Sequence, residues 1–96
     1  MTTHNINLSI QVLPLVDDPY PVIDKAIAVI QAAGLTYEVG PMETTIEGSL
    51  DDCIAVAKAC HSACFVDGVE QVVTVIKIAE KIGGTSIEGK TAKFRE

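Results

Sequence analysis

Residues 5–13 read NINLSIQVL. Ile6, Leu8, Ile10 and Val12 fall on every second position, and Asn7, Ser9 and Gln11 fill the gaps. A period of two over this length specifies a strand with one apolar and one polar face. Such a strand needs neighbours to form a sheet, and it needs a cover on its apolar side only. The rest of the chain must therefore supply partner strands and a helical layer for one face.

The segment PLVDDPYP breaks the strand, because Pro14, Pro19 and Pro21 punctuate a loop. Asp17 or Asp18 is placed to cap a helix starting just beyond the loop. Residues 20–34 show Ile23, Ala26, Ile27 and Ile30 at helical spacing, and Gly34 stands where a helix ends in a left-handed residue. LTYEV (35–39) and ETTIEG (43–48) read as two strands joined tightly by Gly40-Pro41-Met42, a hairpin. Ser49, with Asp52 three residues on, opens a second helix that the pattern carries to about residue 67, before Gly68. EQVVTVIKI (70–78) is a fourth strand. The polar tail 79–96 predicts a short helix beginning at Thr85 or Ser86.

The order β-α-β-β-α-β predicts one α+β domain over residues 1–96, with a ferredoxin-like, four-stranded antiparallel sheet and two helices on one face. The first strand is central in that arrangement. Its apolar face meets the helices together with Thr44 and Ile46, and with Val72, Thr74, Ile76 and Ile78. Ser9 and Gln11 then lie on the open face between Thr45 and Glu47 on one side and Val75 and Lys77 on the other, with Glu43 also outward. A solvated face carrying a glutamate–lysine pair worth under about 1 kcal/mol is one reading of this surface. Val73, Val75 and Leu13 on the same face favour a contact surface, and self-association is the simplest contact. A hollow at such a junction would gather Gln11, Thr45 and Glu47 for a small ligand.

Composition removes several function classes. The net charge of −6 argues against a nucleic-acid footprint. No apolar run approaches the length of a membrane span, and MTTHNINLSI has neither a basic start nor a signal-type core, so the expectation is a cytoplasmic protein. A base-stacking sheet needs aromatic residues on its central strands, and here those positions hold Ser, Gln, Val and Thr. Cys53, Cys60 and Cys64 share a helical stripe with Val56 and Ala57, which reads as core rather than as a metal site. His61 lies at the edge of that stripe, as a packed or capping residue. The loop after the first strand is acidic and lacks both an arginine for phosphate and a CxxC pair for metal. No Ser-His-Asp set or activated cysteine is legible, so no catalytic residue is assigned.

LSIQVLPLV, YEVGPMETTIEG, VVTVIKI and GGTSIEGKTAKF together resemble a family of small ferredoxin-like thiamine-binding proteins, long catalogued only as an uncharacterised family. The similarity covers nearly the whole chain, and the YEVGP…TT.EG run is its most specific part. The resemblance implies dimers that assemble into tetramers through their sheets, and binding of thiamine or its hydroxymethylpyrimidine part in thiamine salvage or transport. Carried over by position, the matching residues are Tyr37, Gly40, Pro41, Thr44, Thr45, Glu47, Gly48 and Gln11. In the family the turn positions held here by Met42 and Glu43 vary. Taken with the face assignment, the expected ligand-binding residues are Ser9, Gln11, Tyr37, Thr44, Thr45, Glu47 and Lys77, with no metal and no cofactor. Glu47 would accept from the pyrimidine amino group or face the thiazolium, and Thr45, Ser9 and Gln11 would satisfy ring nitrogens. The alternative is a structural or regulatory homo-oligomer with no small-molecule ligand.

Overall fold

The alternating segment forms strand β1, Ile6–Pro14. The computed structural model describes residues 4–84 and residue 87. Beyond β1 the chain forms α1 (Tyr20–Ala33), β2 (Thr36–Val39), β3 (Thr44–Gly48), α2 (Leu50–Ala63) and β4 (Val72–Ala79). The strands make one antiparallel sheet in the order β2-β3-β1-β4, so β1 is central as its pattern demands. The tail helix predicted from Thr85 or Ser86 lies outside the described residues, apart from Ile87, which is buried.

Neither aspartate of the loop caps α1. Pro19 is the N-cap residue, with no side-chain cap bond. Its carbonyl accepts from the Val22 and Ile23 amides at 3.1 and 2.9 Å. Pro21, in the first turn, has no N–H to satisfy, so an aspartate cap has less to offer. Gly34, at φ +78°, ends the helix in the left-handed region. In α2 the expected cap is present, because Ser49 Oγ accepts from the Asp52 amide at 3.1 Å. This helix stops at Ala63, short of the predicted residue 67. The Cys64 and Phe65 amides bond back to His61 and Ser62, and these i→i+3 bonds close the last turn early.

The core lies between the sheet and the two helices. Ile6, Leu8, Ile10 and Val12 supply its sheet side. From α1 the buried set is Val22, Ala26 and Ile30, so the stripe is rotated slightly from the predicted one and leaves Ile23 and Ile27 half-buried. From α2 it is Cys53, Val56, Ala57 and Cys60, followed by Cys64. The cysteines are core residues, as their stripe indicated. Cys60 and Cys64 donate weakly to the Ala26 and Cys60 carbonyls, each at 3.4 Å.

Strand β4 departs from the expected burial. Its register puts Ile78 opposite Leu8 and Ile76 opposite Ile10, on the helix side as predicted. Yet Ile76 and Ile78 stay 43% and 47% exposed. Helix α2 sits chiefly over β1 and β3, so the edge strand extends beyond its cover.

Candidate functional site

The strand register sorts the candidate residues by face, because directly opposed residues share a side of the sheet. Ser9 faces Thr45 on β3 and Lys77 on β4, Asn7 faces Glu47, and Gln11 faces Val75. Ser9, Gln11, Thr45, Glu47 and Lys77 therefore share the open face. Tyr37 faces Ile46 and Val39 faces Thr44, which places Tyr37 and Thr44 on the helix side. The seven residues do not form one cluster. Tyr37 sits partly exposed on the edge strand, away from the polar group around Ser9.

That polar group is organised by Glu43, which sequence reasoning placed outward but left out of the expected set. Ser9 Oγ donates to Glu43 Oε2 at 3.1 Å, and Lys77 Nζ donates to Oε1 at 3.4 Å. The lysine side chain is 68% exposed, so this ion pair is worth under about 1 kcal/mol and is easily exchanged. Glu47 is occupied differently from its expected role. Its Oε1 accepts from the Ile87 amide at 2.8 Å. Beside it in the register, Asn7 is buried although it lies on the polar face, and its Oδ1 has no partner among the described residues.

The hairpin turn brings Glu43 to the end of the sheet. The Gly40 amide donates to the Glu43 carbonyl at 3.0 Å across the Pro41-Met42 pair. A Cβ on Gly40 would stand 2.8 Å from that carbonyl oxygen, so only glycine lets the chain fold back so closely. Between this turn and α1 lies a cleft of about 140 Å³. Ile23 and Ile27 supply its apolar wall, the well-exposed Tyr20 and Met42 also line it, and Gln11, Glu43 and Thr44 bring polar atoms. The rotation of the α1 stripe matters here, because it turns Ile23 and Ile27 toward the cleft. Two of the seven predicted residues, Gln11 and Thr44, thus line one cavity, and Ser9 and Lys77 hold the glutamate at its edge.

Cys60 also lines the cleft. Burial, and then the neighbouring Cys64, push its thiol up to about 11. A thiol held neutral in this way is a packing group rather than a nucleophile. Burial likewise raises Cys64, and burial together with Asp52 and Glu47 raises Cys53. His61 points elsewhere. Its Nδ1 lies 2.6 Å from Thr74 Oγ1, and its ring meets Phe65 edge-on at 5.4 Å.

Two helices on one side of a β2-β3-β1-β4 antiparallel sheet define an α+β protein of the ferredoxin-like class. Within that class, the sequence model of the thiamine-binding protein family matches residues 8–95, and the chain belongs to that family. It is 42% identical over 91 residues to the UPF0045 protein CPE1503 of Clostridium perfringens, covering 93% of this chain and 96% of that one. It superposes at TM-score 0.89 on a Bacillus cereus domain of unknown function, DUF77, with 43% identity over 97% of this chain and 92% of the other. A Thermotoga maritima protein described as a candidate thiamine biosynthesis/salvage protein matches at TM-score 0.86 and 35% identity, covering 95% and 99% of the two chains. The family and that neighbour support a thiamine-related role. Among the described residues no helix is long and apolar enough to cross a membrane.

Proposed function

We propose that this chain binds thiamine, or its hydroxymethylpyrimidine part, without transforming it, as a cytoplasmic homo-oligomer serving thiamine salvage or transport. The observation that carries this reading is the cleft at the β2–β3 turn, where Gln11, Glu43 and Thr44 meet an apolar wall. Its volume of about 140 Å³ is that of a one-ring site. A protein cavity of roughly 150 Å³ holds benzene, and a pyrimidine ring is the same size.

The chemistry of the lining matches an aminopyrimidine. Ile23 and Ile27 take its faces, and Thr44 and Gln11 offer donors and acceptors to its edge. Glu43 accepts from the exocyclic amino group, or faces the thiazolium at the mouth, taking the place of the loosely held Lys77 ammonium. Glu43 sets the strength of binding in this chain, while Gln11 and Thr44 carry the ring. The cleft opens at the end of the sheet, beside the uncovered face where Ser9, Thr45 and Lys77 lie.

The test is a calorimetric titration with thiamine and with hydroxymethylpyrimidine. Glu43→Gln is expected to weaken thiamine binding about tenfold or more, the scale of a lost charge-assisted hydrogen bond. Glu47→Ala is expected to bind as the wild type does, because its carboxylate serves the Ile87 amide. Equal affinity for wild type and Glu43→Gln, or the loss falling on Glu47→Ala instead, would return the site to the open sheet face. The second reading, an assembly-only oligomer, draws on the exposed apolar residues of β4. It is the one left standing if neither compound raises the melting temperature. A ligand at 100 times its dissociation constant adds about 2.7 kcal/mol, a shift on the order of 10 °C or more for a domain this size.

A further inference from the structure

A second hollow lies beside the sheet edge opposite the hairpin turn. Helix α2 sits chiefly over β1 and β3, and between it and the overhanging β4 runs an open groove of about 330 Å³. Ile54, Ala57, Lys58 and His61 form its helix wall, at the i, i+3, i+4, i+7 spacing of a single helix face. Thr74 and Ile76 form its strand wall. The groove shares no lining residue with the cleft at the turn, and its volume falls within the range of small-molecule sites.

We infer that this groove binds a straight-chain aliphatic monocarboxylate, with the acid group held by Lys58 and His61 and the hydrocarbon chain laid along Ile54, Ala57 and Ile76. Three observations select that chemistry. The first is charge. The chain carries a net charge of −6, yet Lys58 stands in no ion pair among the described residues. The residues three and four positions from it on α2 are Ile54, Ala55, His61 and Ser62, none of them acidic, and β4 has no acidic residue either. A cation without a counter-charge at the rim of an apolar groove suits one negative charge.

The second is the state of His61. Its Nδ1 lies 2.6 Å from Thr74 Oγ1, and that hydroxyl has no other acceptor among the described residues. The hydroxyl proton therefore goes to Nδ1, and the neutral ring keeps its own proton on Nε2, where it can be donated to a second acceptor. The third is the character of the walls. Ile54, Ala57 and Ile76 are aliphatic, and Ile76 is 43% exposed in the groove. No aromatic residue lines the groove for a planar ring to stack on, whereas a hydrocarbon chain packs on aliphatic walls. A phosphate ester would bring a second negative charge that a single lysine leaves uncompensated against those walls.

The experiment is a calorimetric titration of the full chain with hexanoate, octanoate, octanol and octyl phosphate. Octanoate is expected to bind, and each methylene added from hexanoate to octanoate is expected to tighten binding roughly fourfold, the factor for burying one such group. Octanol, which has the chain without the charge, is expected to bind about tenfold more weakly or less. Lys58→Gln is expected to weaken octanoate about tenfold while leaving octanol binding and the melting temperature unchanged, because Lys58 is exposed and unpaired among the described residues. Octanol or octyl phosphate binding as tightly as octanoate overturns the inference, and so does wild-type octanoate affinity in Lys58→Gln. A silent octanoate titration also overturns it, and light scattering on the same sample then shows whether a second copy fills the groove. Thiamine affinity is expected to be the same with and without octanoate, so failure here leaves the proposed function standing.

Discussion

Gly40→Ala is the substitution most tightly constrained by the geometry of the site. The added Cβ would stand 2.8 Å from the Glu43 carbonyl oxygen, closer than such atoms ordinarily approach. That oxygen belongs to backbone, and it also receives the Gly40 amide at 3.0 Å. No side chain can rotate away, so the hairpin must open or the hydrogen bond must stretch. Overpacking of this kind costs about 1–3 kcal/mol. For a domain of this size each kcal/mol moves the melting temperature by about 4–8 °C, so a fall on the order of 10 °C is expected. Two other glycines calibrate the result. Gly34→Ala meets nothing within 4 Å, but it asks alanine to hold φ +78°, a cost of about 1 kcal/mol. Gly48→Ala presses on the Leu35 methyls at 3.3 and 3.4 Å, which are the flexible end of a side chain. Melting curves should therefore place Gly40→Ala lowest of the three, and thiamine binding should weaken only in that variant. A Gly40→Ala protein that melts within about 2 °C of wild type, or above Gly34→Ala, would refute the close-approach argument.

The core and the caps give two further expected outcomes. Cys60 ionises at about 11 when folded against an ordinary value of 9.0. Its contribution is fully present below pH 9 and is lost as the pH rises through 11, a fall of roughly 3 kcal/mol. Urea midpoints from pH 8 to 11 should drop more steeply in wild type than in Cys60→Ala, and parallel profiles would remove the thiol as the cause. Ser49→Ala deletes the bond to the Asp52 amide and should cost about 1 kcal/mol, seen as a melting decrease of several degrees that Ser49→Asn restores.

Much of the site was legible as face assignments, because a strand's period of two is a local property. Ser9, Gln11, Thr45, Glu47 and Lys77 do share the open face. Distance between faces was not legible. The inward phase of Thr44 was legible, but nothing local showed that Tyr37 lies on the helix side of the edge strand, away from the group around Ser9. The phase of Glu43 marks it only as outward and does not single it out. Its partners Ser9 and Lys77 are 34 residues away on either side, and nothing local announces them. The cleft depended on two details of that kind, the close turn at Gly40 and the small rotation of the α1 stripe.

The sequence alone determined the order of elements, the central position of β1 and the inward stripe of cysteines. These arise from periodicity, capping and turn chemistry, which act within a few residues of one another. Only the tertiary structure decided where two helices fall on four strands. Because α2 settles over β1 and β3, β4 is left bare at one edge, and because the hairpin folds back closely at Gly40, a cleft opens between that turn and α1. Coverage is a matter of how wide layers overlap, and no window of neighbouring residues carries that quantity.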